Sequence, residues 1–204
     1  MQETPQLGLF GTARPTPRRT PSRRARPPVV HGVREITLAY RSRPDLHNAP
    51  TRITNPRDVA TLCDWLRDLP HEEAWVIALN AANEVLGVYQ VGRGGMTDAP
   101  VAPSEIYRTA LLASAAAVIL VHNHPSGHCS ASAEDRRLTQ TLVAAGELLG
   151  VPLVDHVILG VHNHYSFADQ GLISQYRSAA IRRAECTAEP SSPDCGSPHP
   201  RHLP

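Results

Sequence analysis

Two histidines one residue apart, His122 and His124, stand at the end of an apolar run, Ala116-Ala117-Val118-Ile119-Leu120-Val121. A run this short and this rich in Val and Ile predicts a strand buried on both faces. On a strand, residues i and i+2 point to the same side, so both imidazoles share one face. Pro125 cannot continue a central strand and Ser126-Gly127 is turn chemistry, so the strand ends where the histidines stand. Asp135 follows in the first turn of an expected helix, with Ser132 three residues before it. Two imidazoles and a carboxylate, with a fourth position left to water, are the donor set of an open zinc site of the catalytic kind. Taken singly, a His-x-His pair is commonly structural and Ser-x-x-Asp is a helix cap. The buried strand, the turn and the capped helix in that order give the metal reading its weight.

Those residues must be positioned by the rest of the chain. Val33 to Arg41 alternates and predicts a first strand, followed by a loop with Pro44 and Pro50. Asn55-Pro56 is a helix start, an N-cap with Pro at the first helical position. Val59, Leu62, Cys63, Leu66 and Leu69 recur at helical spacing up to Pro70, so one face of that helix packs on the core. Trp75–Asn80 and Glu84–Val91 read as a β-hairpin, with Glu72 and Glu73 just ahead of it. Gly92-Arg93-Gly94-Gly95 is a flexible exit and not a phosphate loop, because the Lys and Ser/Thr of a Walker motif are missing. Pro103-Ser104-Glu105 opens a helix capped by Ser104, running to about Ala115. A helix over Ala133–Leu149 is expected to turn Leu138, Leu142, Ala145 and Leu149 inward, with Gly150 as its stop. Strands over Pro152–Gly160 and Tyr165–Phe167 and a terminal helix from Gln170 to about Arg183 complete the set. Strands alternating with helices predict an α/β domain, a mixed β-sheet flanked by helices.

The text His-Asn-His-Pro-Ser-Gly at 122–127, followed by Ser132-x-x-Asp135, resembles the JAMM signature of JAB/MPN zinc metalloproteases, and the RadC-like branch in particular. The resemblance extends over roughly residues 33 to 177. It includes Val59 to Asn80, Ala145 to Val151, Asp155-His156-Val157-Ile158 and Ser166 to Ile173. It implies a three-layer fold of the cytidine-deaminase type, with His122, His124 and Asp135 on Zn2+. It also implies a general-base Glu at the start of the strand after the first helix, for which Glu72 and Glu73 are the candidates. Laying Glu72 to Asn80 against the family text without a gap favours Glu72, and strand alternation lets only one of the two face the zinc. Glu105 is a third candidate whose position helix capping already explains. The resemblance assigns Ser132 to the oxyanion and implies a protein or peptide substrate. Asn123 points away from the two histidines as a hydrogen-bonding support, and His156 is structural or an outer partner of the metal site.

The chain departs from the family text at His128-Cys129-Ser130-Ala131, where Asp-Pro and a further Pro are usual. His128 and Cys129 are potential soft ligands that could compete for the fourth zinc position and suppress hydrolysis, but the favoured expectation is that they face solvent. A second His-Asn-His, at His162–His164, has no Ser-x-x-Asp partner and reads as coincidence. A deaminase would need His-x-Glu and Pro-Cys-x-x-Cys, both missing.

At 204 residues, 41% of them hydrophobic, the chain fits one domain plus tails. We expect a Pro/Arg-rich tail over 1–30, a RadC-like domain over 31–183 and a Pro/Ser/His tail over 184–204. The net charge of +1 argues against binding polyanions by bulk charge, and every basic residue other than His is Arg. The first thirty residues are nearly acid-free and could touch nucleic-acid phosphates, so a non-catalytic, DNA-repair-associated module is the rival class. No helix-hairpin-helix text supports it. Four scattered Cys make no disulfide framework. No signal peptide or bilayer-length apolar run is evident, so the expected setting is cytoplasmic, away from membranes.

Overall fold

A computed structural model describes residues 38–94 and 101–188 of the chain, with side chains through residue 185. The described residues belong to one compact unit that begins at Leu38. The strands are β1 (Glu73–Leu79), β2 (Val85–Arg93), β3 (Ala117–Asn123), β4 (Leu153–Leu159) and β5 (His164–Ser166). The helices are α1 (Pro56–Leu62), α2 (Pro103–Leu112), α3 (Ala133–Leu149) and α4 (Leu172–Ala188). The five strands form one sheet in the order β2-β1-β3-β4-β5. β3 and β4 are parallel and joined through α3, while every other neighbouring pair is antiparallel. The mixed sheet flanked by helices is the expected α/β architecture.

Side-chain alternation splits the core in two. Val76, Ala78, Val118, Leu120 and Ile158 face one side and pack with Ile106, Ala110, Leu142, Val143, Phe167 and Ile173 of α2, α3, α4 and the loop before α4. Ile77, Leu79, Ile119, Val121, Val157 and Leu159 face the other side and pack with Val59, Leu62, Cys63 and Leu66. Every residue of β3 is buried, as its unbroken apolar text requires. Each large aliphatic side chain so covered contributes about 1.5–3 kcal/mol. Burial also pushes the Cys63 thiol up to about 12, so it is an inert core residue.

Local signals set most element ends. Asn55 caps α1 and forms a reciprocal box with Asp58. Gly150 stops α3 in the left-handed conformation. Several expectations differ from the structure. Residues 38–41 carry no strand, and the rest of the predicted first strand, 33–37, lies outside the described residues. The same holds for the basic arm over 1–30 and for the chain beyond 188. α2 is capped by Ala102 without a side-chain bond, because Pro103 already occupies the first helical position. Ser104 and Glu105 therefore lie inside the helix, and Glu105 pairs with Arg108 on the surface. Leu149 is exposed on the last turn of α3, whose buried stripe is Asp135, Thr139, Leu142, Val143 and Gly146. α4 runs on to Ala188, past the expected end near Arg183. No helix among the described residues is long and apolar enough to cross a membrane.

Candidate metal centre

β3 is central in the sheet, and its last residues carry the histidines. His122 lies opposite Ala74 of β1 and beside Ile158 of β4, on the face that α3 covers. His122 Nε2 and His124 Nε2 approach to 2.9 Å. α3 begins beneath them. Ser132 Oγ accepts from the Asp135 N–H at 3.0 Å, and Asp135 Oδ2 accepts from the Ser132 N–H at 2.7 Å. This box satisfies two end groups of the helix and leaves Asp135 Oδ1 aimed at His122. Asp135 Oδ1 is 3.3 Å from His122 Nε2, and Oδ2 is 3.8 Å from His124 Nε2. Glu72 closes the fourth side, its Oε1 4.0 Å from His122 Nε2.

His122 and Asp135 are almost wholly buried, whereas the side chains of His124 and Glu72 are 17% and 21% exposed. The centre therefore opens to solvent on the His124–Glu72 side. Glu73, the neighbour of Glu72, faces α1 instead. Its carboxylate accepts from Trp75 Nε1 at 2.9 Å and meets His71 Nε2 at 2.8 Å. Burial raises the Glu73 carboxyl, but the bonds from Trp75 and His71 and the charges of His71 and Arg93 outweigh it and hold it below the ordinary range. Of the two acids at the start of β1, only Glu72 reaches the histidines.

The outer ring of hydrogen bonds decides which nitrogen of each imidazole carries a proton. His124 Nδ1 donates to the His128 carbonyl at 2.8 Å, which leaves a lone pair on its Nε2. His122 Nδ1 meets His156 Nε2 at 2.9 Å, and His156 Nδ1 meets Thr139 Oγ1 at 2.7 Å. Thr139 Oγ1 also lies 2.6 Å from the Asp135 carbonyl. This buried chain can be written in two directions, of which only the one with Thr139 as donor satisfies the Asp135 carbonyl. If Thr139 donates to the carbonyl, His156 donates to Thr139 and His122 donates to His156, so His122 Nε2 presents a lone pair. If the chain runs the other way, His122 Nε2 carries a proton and donates it to His124. Only the first direction frees both Nε2 atoms for a cation, and a cation placed there selects it.

Burial pushes His122 down to about 4, against the raising effect of Asp135 and helped by His124. Burial likewise holds His156 well below its ordinary value, aided by His122 and His124. Both are neutral at pH 7, the form a metal ligand requires. Donors bonded to one tetrahedral zinc at about 2.0–2.1 Å stand about 3.3 Å from each other. His122 Nε2 stands near that separation from both His124 Nε2, at 2.9 Å, and Asp135 Oδ1, at 3.3 Å, while His124 Nε2 lies 3.8 Å from the other Asp135 oxygen. The donor set therefore fits the ion expected from the sequence. Among the described residues, the groups whose donor atoms all lie close enough to hold one ion are Glu72 with His122 and His124, and His122 with Asp135 and His156; both share His122, and the expected trio is split between them. His156, bonded to His122 and Thr139, is spoken for as an outer partner.

The loop between β3 and α3 is held from the other side. Gly127 adopts φ +80° and its carbonyl accepts from the Val161 N–H at 3.3 Å. Gly160 comes so close that a Cβ there would lie 2.5 Å from that carbonyl. His128 enters the site through its backbone, its side chain exposed, and neither His128 nor Cys129 joins a metal-holding group among the described residues. His164 opens β5 and borders Arg57, Asp64 and Arg67, away from the centre. Thr139 was not foreseen. The signal was present, since a threonine four residues after Asp135 falls on the same helix face.

A family model for the RadC-like JAB domain matches residues 53–172. The chain is 43% identical over 123 residues to a UPF0758 protein of Salinibacter ruber, covering 60% of this chain and 53% of the relative. It is 42% identical over 130 residues to a UPF0758 protein of Symbiobacterium thermophilum, covering 62% and 56%. A UPF0758 protein of Moorella thermoacetica is 41% identical over 124 residues, covering 60% and 54%. The chain spans about half the length of the curated relatives it matches.

Proposed function

Since this chain belongs to the RadC-like JAB domain family, we propose that it is a zinc-dependent metallopeptidase or isopeptidase, hydrolysing an amide bond in a protein or peptide with water. The observation that carries the reading is the approach of His122 Nε2, His124 Nε2 and the Asp135 carboxylate oxygens to one another, 2.9, 3.3 and 3.8 Å apart in pairs, with Glu72 reaching them from the solvent side. Zinc held by those three atoms would supply an acidified water at neutral pH and a positive charge for the carbonyl oxygen.

The chain's own groups do the rest. The Glu72 carboxylate takes a proton from the attacking water and hands it to the leaving nitrogen. Its partial exposure suits that exchange. In the helix cap, Ser132 Oγ is an acceptor, so its own proton is free to be donated to the oxygen that gains charge. The Ser132 N–H fixes Asp135 Oδ2 and the His128 carbonyl fixes the His124 ring, so neither ligand has to be ordered when the ion arrives.

The test is metal analysis of the wild type beside an His122→Ala/His124→Ala double variant. About one zinc per chain is expected in the first and none in the second, with hydrolysis of peptide or isopeptide substrates lost as well. Equal zinc in the two proteins removes the site.

A further inference from the structure

Asn123 stands between the two histidines on β3, but alternation sends its side chain to the opposite face, where it is 1% exposed. There it makes two hydrogen bonds. Its Oδ1 accepts from the Glu73 N–H at 2.8 Å, and its Nδ2 donates to the His71 carbonyl at 3.0 Å. These two backbone groups flank Glu72 on either side. The Glu72 carbonyl is held as well, accepting from the Gly94 N–H at 2.9 Å. The side chains of His71 and Glu73 are locked to each other behind the sheet, and Trp75 braces Glu73. Of His71, Glu72 and Glu73, it is Glu72 that turns forward, its Oε1 4.0 Å from His122 Nε2.

We propose that Asn123 is the positioning residue for Glu72, clamping the peptide units before and after it so that its carboxylate stands at a fixed distance from the paired imidazoles. The proposal rests on the metal-hydrolase reading and adds to it a way in which one tripeptide sets the whole centre. His122 and His124 offer nitrogen donors on one face of the sheet, and the residue between them aims the acid from behind. The task needs a donor and an acceptor on one short planar group, which Asn supplies. Asp keeps the acceptor but sets a second oxygen against the His71 carbonyl, and Ala leaves two buried backbone groups unpaired.

The experiment uses cobalt in place of zinc and reads the visible absorption of the 204-residue chain. Wild type, Glu72→Gln, Asn123→Asp and the double variant are compared at one pH, each with its metal content. Asn123→Asp is expected to keep about one cobalt per chain, because the three ligands are untouched. Its spectrum is expected to depart from wild type in the same bands and sense as Glu72→Gln. The double variant should then match Glu72→Gln alone, since two residues acting through one group are not additive. Once a substrate is in hand, kcat of Asn123→Asp should fall about 10²-fold with KM little changed, the usual effect of a small misplacement.

An Asn123→Asp spectrum identical to wild type overturns the clamp and leaves the metal centre standing. So does a further change on the Glu72→Gln background. A wild type that takes up no cobalt, or a Glu72→Gln spectrum like wild type, removes the centre or the acid and the clamp with it. Should Asn123→Asp fail to fold, hydrogen exchange in the wild type decides. Slow exchange of the Glu73 amide and the Asn123 side-chain amide supports the clamp, and exchange as fast as in surface loops overturns it.

Discussion

Replacing Thr139 by valine asks whether the buried hydrogen-bond chain sets metal affinity. Valine matches threonine in shape and lacks the hydroxyl, and the position is fully buried, so packing is kept while His156 Nδ1 comes to face a methyl group. The least costly response places the His156 proton on Nε2. His156 then donates to His122, and His122 carries its own proton on Nε2, the atom that must bind the ion. Binding a metal would reverse both protons and leave a His156 N–H buried without a partner. That penalty is about 1–3 kcal/mol, or about 5- to 150-fold in affinity. The range agrees with the roughly 10- to 100-fold usual for loss of an outer partner. The assay is a zinc competition titration against a chromophoric chelator at neutral pH, with circular dichroism to establish that the metal-free variant is folded. Thr139→Ser, which keeps the hydroxyl, should bind within about threefold of wild type. A folded Thr139→Val that binds within about twofold of wild type refutes the reasoning, as does a Thr139→Ser that is equally weak.

Two further outcomes follow from buried residues on β4 and just after it. Asp155 is raised from 3.8 to about 6 by burial, against the bonds from Ser166, Ala168 and His156. Folding therefore favours its protonated form, and its contribution to stability is lost as pH rises from about 4 to about 6. His122, lowered from 6.5 to about 4, acts in the opposite sense, because the unfolded chain takes up the proton first as pH falls through that window. The two slopes oppose each other in the metal-free wild type, so the prediction concerns a difference. Relative to wild type, Asp155→Asn should gain about 3 kcal/mol in urea denaturation between pH 4 and pH 6. A difference that stays flat across that range contradicts the burial argument. Gly160→Ala would drive a methyl group against the Gly127 carbonyl oxygen and Cys129 Cβ, at 2.5 and 3.3 Å. A cost of about 1–3 kcal/mol is expected, seen as a lower melting temperature, together with weaker zinc binding because the same loop carries the His128 carbonyl. Unchanged zinc affinity in a destabilised Gly160→Ala would show that the loop does not govern His124.

What could be read from the sequence follows from how local each cause is. The pairing of His122 with His124, the turn after them and the Ser132–Asp135 box are set within fourteen residues by strand alternation and helix capping, and the structure brings these side chains together. The choice between Glu72 and Glu73 is different in kind. Alternation says that one faces the histidines but not which, and the answer lies in the register of β1 against β3, with Ala74 opposite His122. That register joins segments about fifty residues apart, and no local rule fixes it. Ser104 was misread because Pro103 and Ser104 are both helix-start signals, and only one residue can occupy the boundary. Leu149 differs because it is exposed on the last turn of α3, so helical spacing alone overstates the buried stripe.

The same distinction explains why the centre needs partners that its signature does not spell. The three donors are a local statement, but their protonation is not. It depends on His156 from β4 and Thr139 from α3 meeting over the parallel β3–β4 pair, where His156 lies beside Leu120 in the register. A strand, a helix and a second strand joined in that order place the third element directly beside the first. The crossover that delivers Asp135 to the histidines therefore also delivers the groups that orient His122. A shift of β4 by one residue would send His156 to the α1 face and expose His122 Nδ1 to an apolar neighbour. On the metal-hydrolase reading, the metal affinity of the centre is a property of the β3-α3-β4 unit as a whole, which is why a change at Thr139, touching no ligand atom, is expected to alter affinity more than most substitutions in the exposed loop beside the histidines.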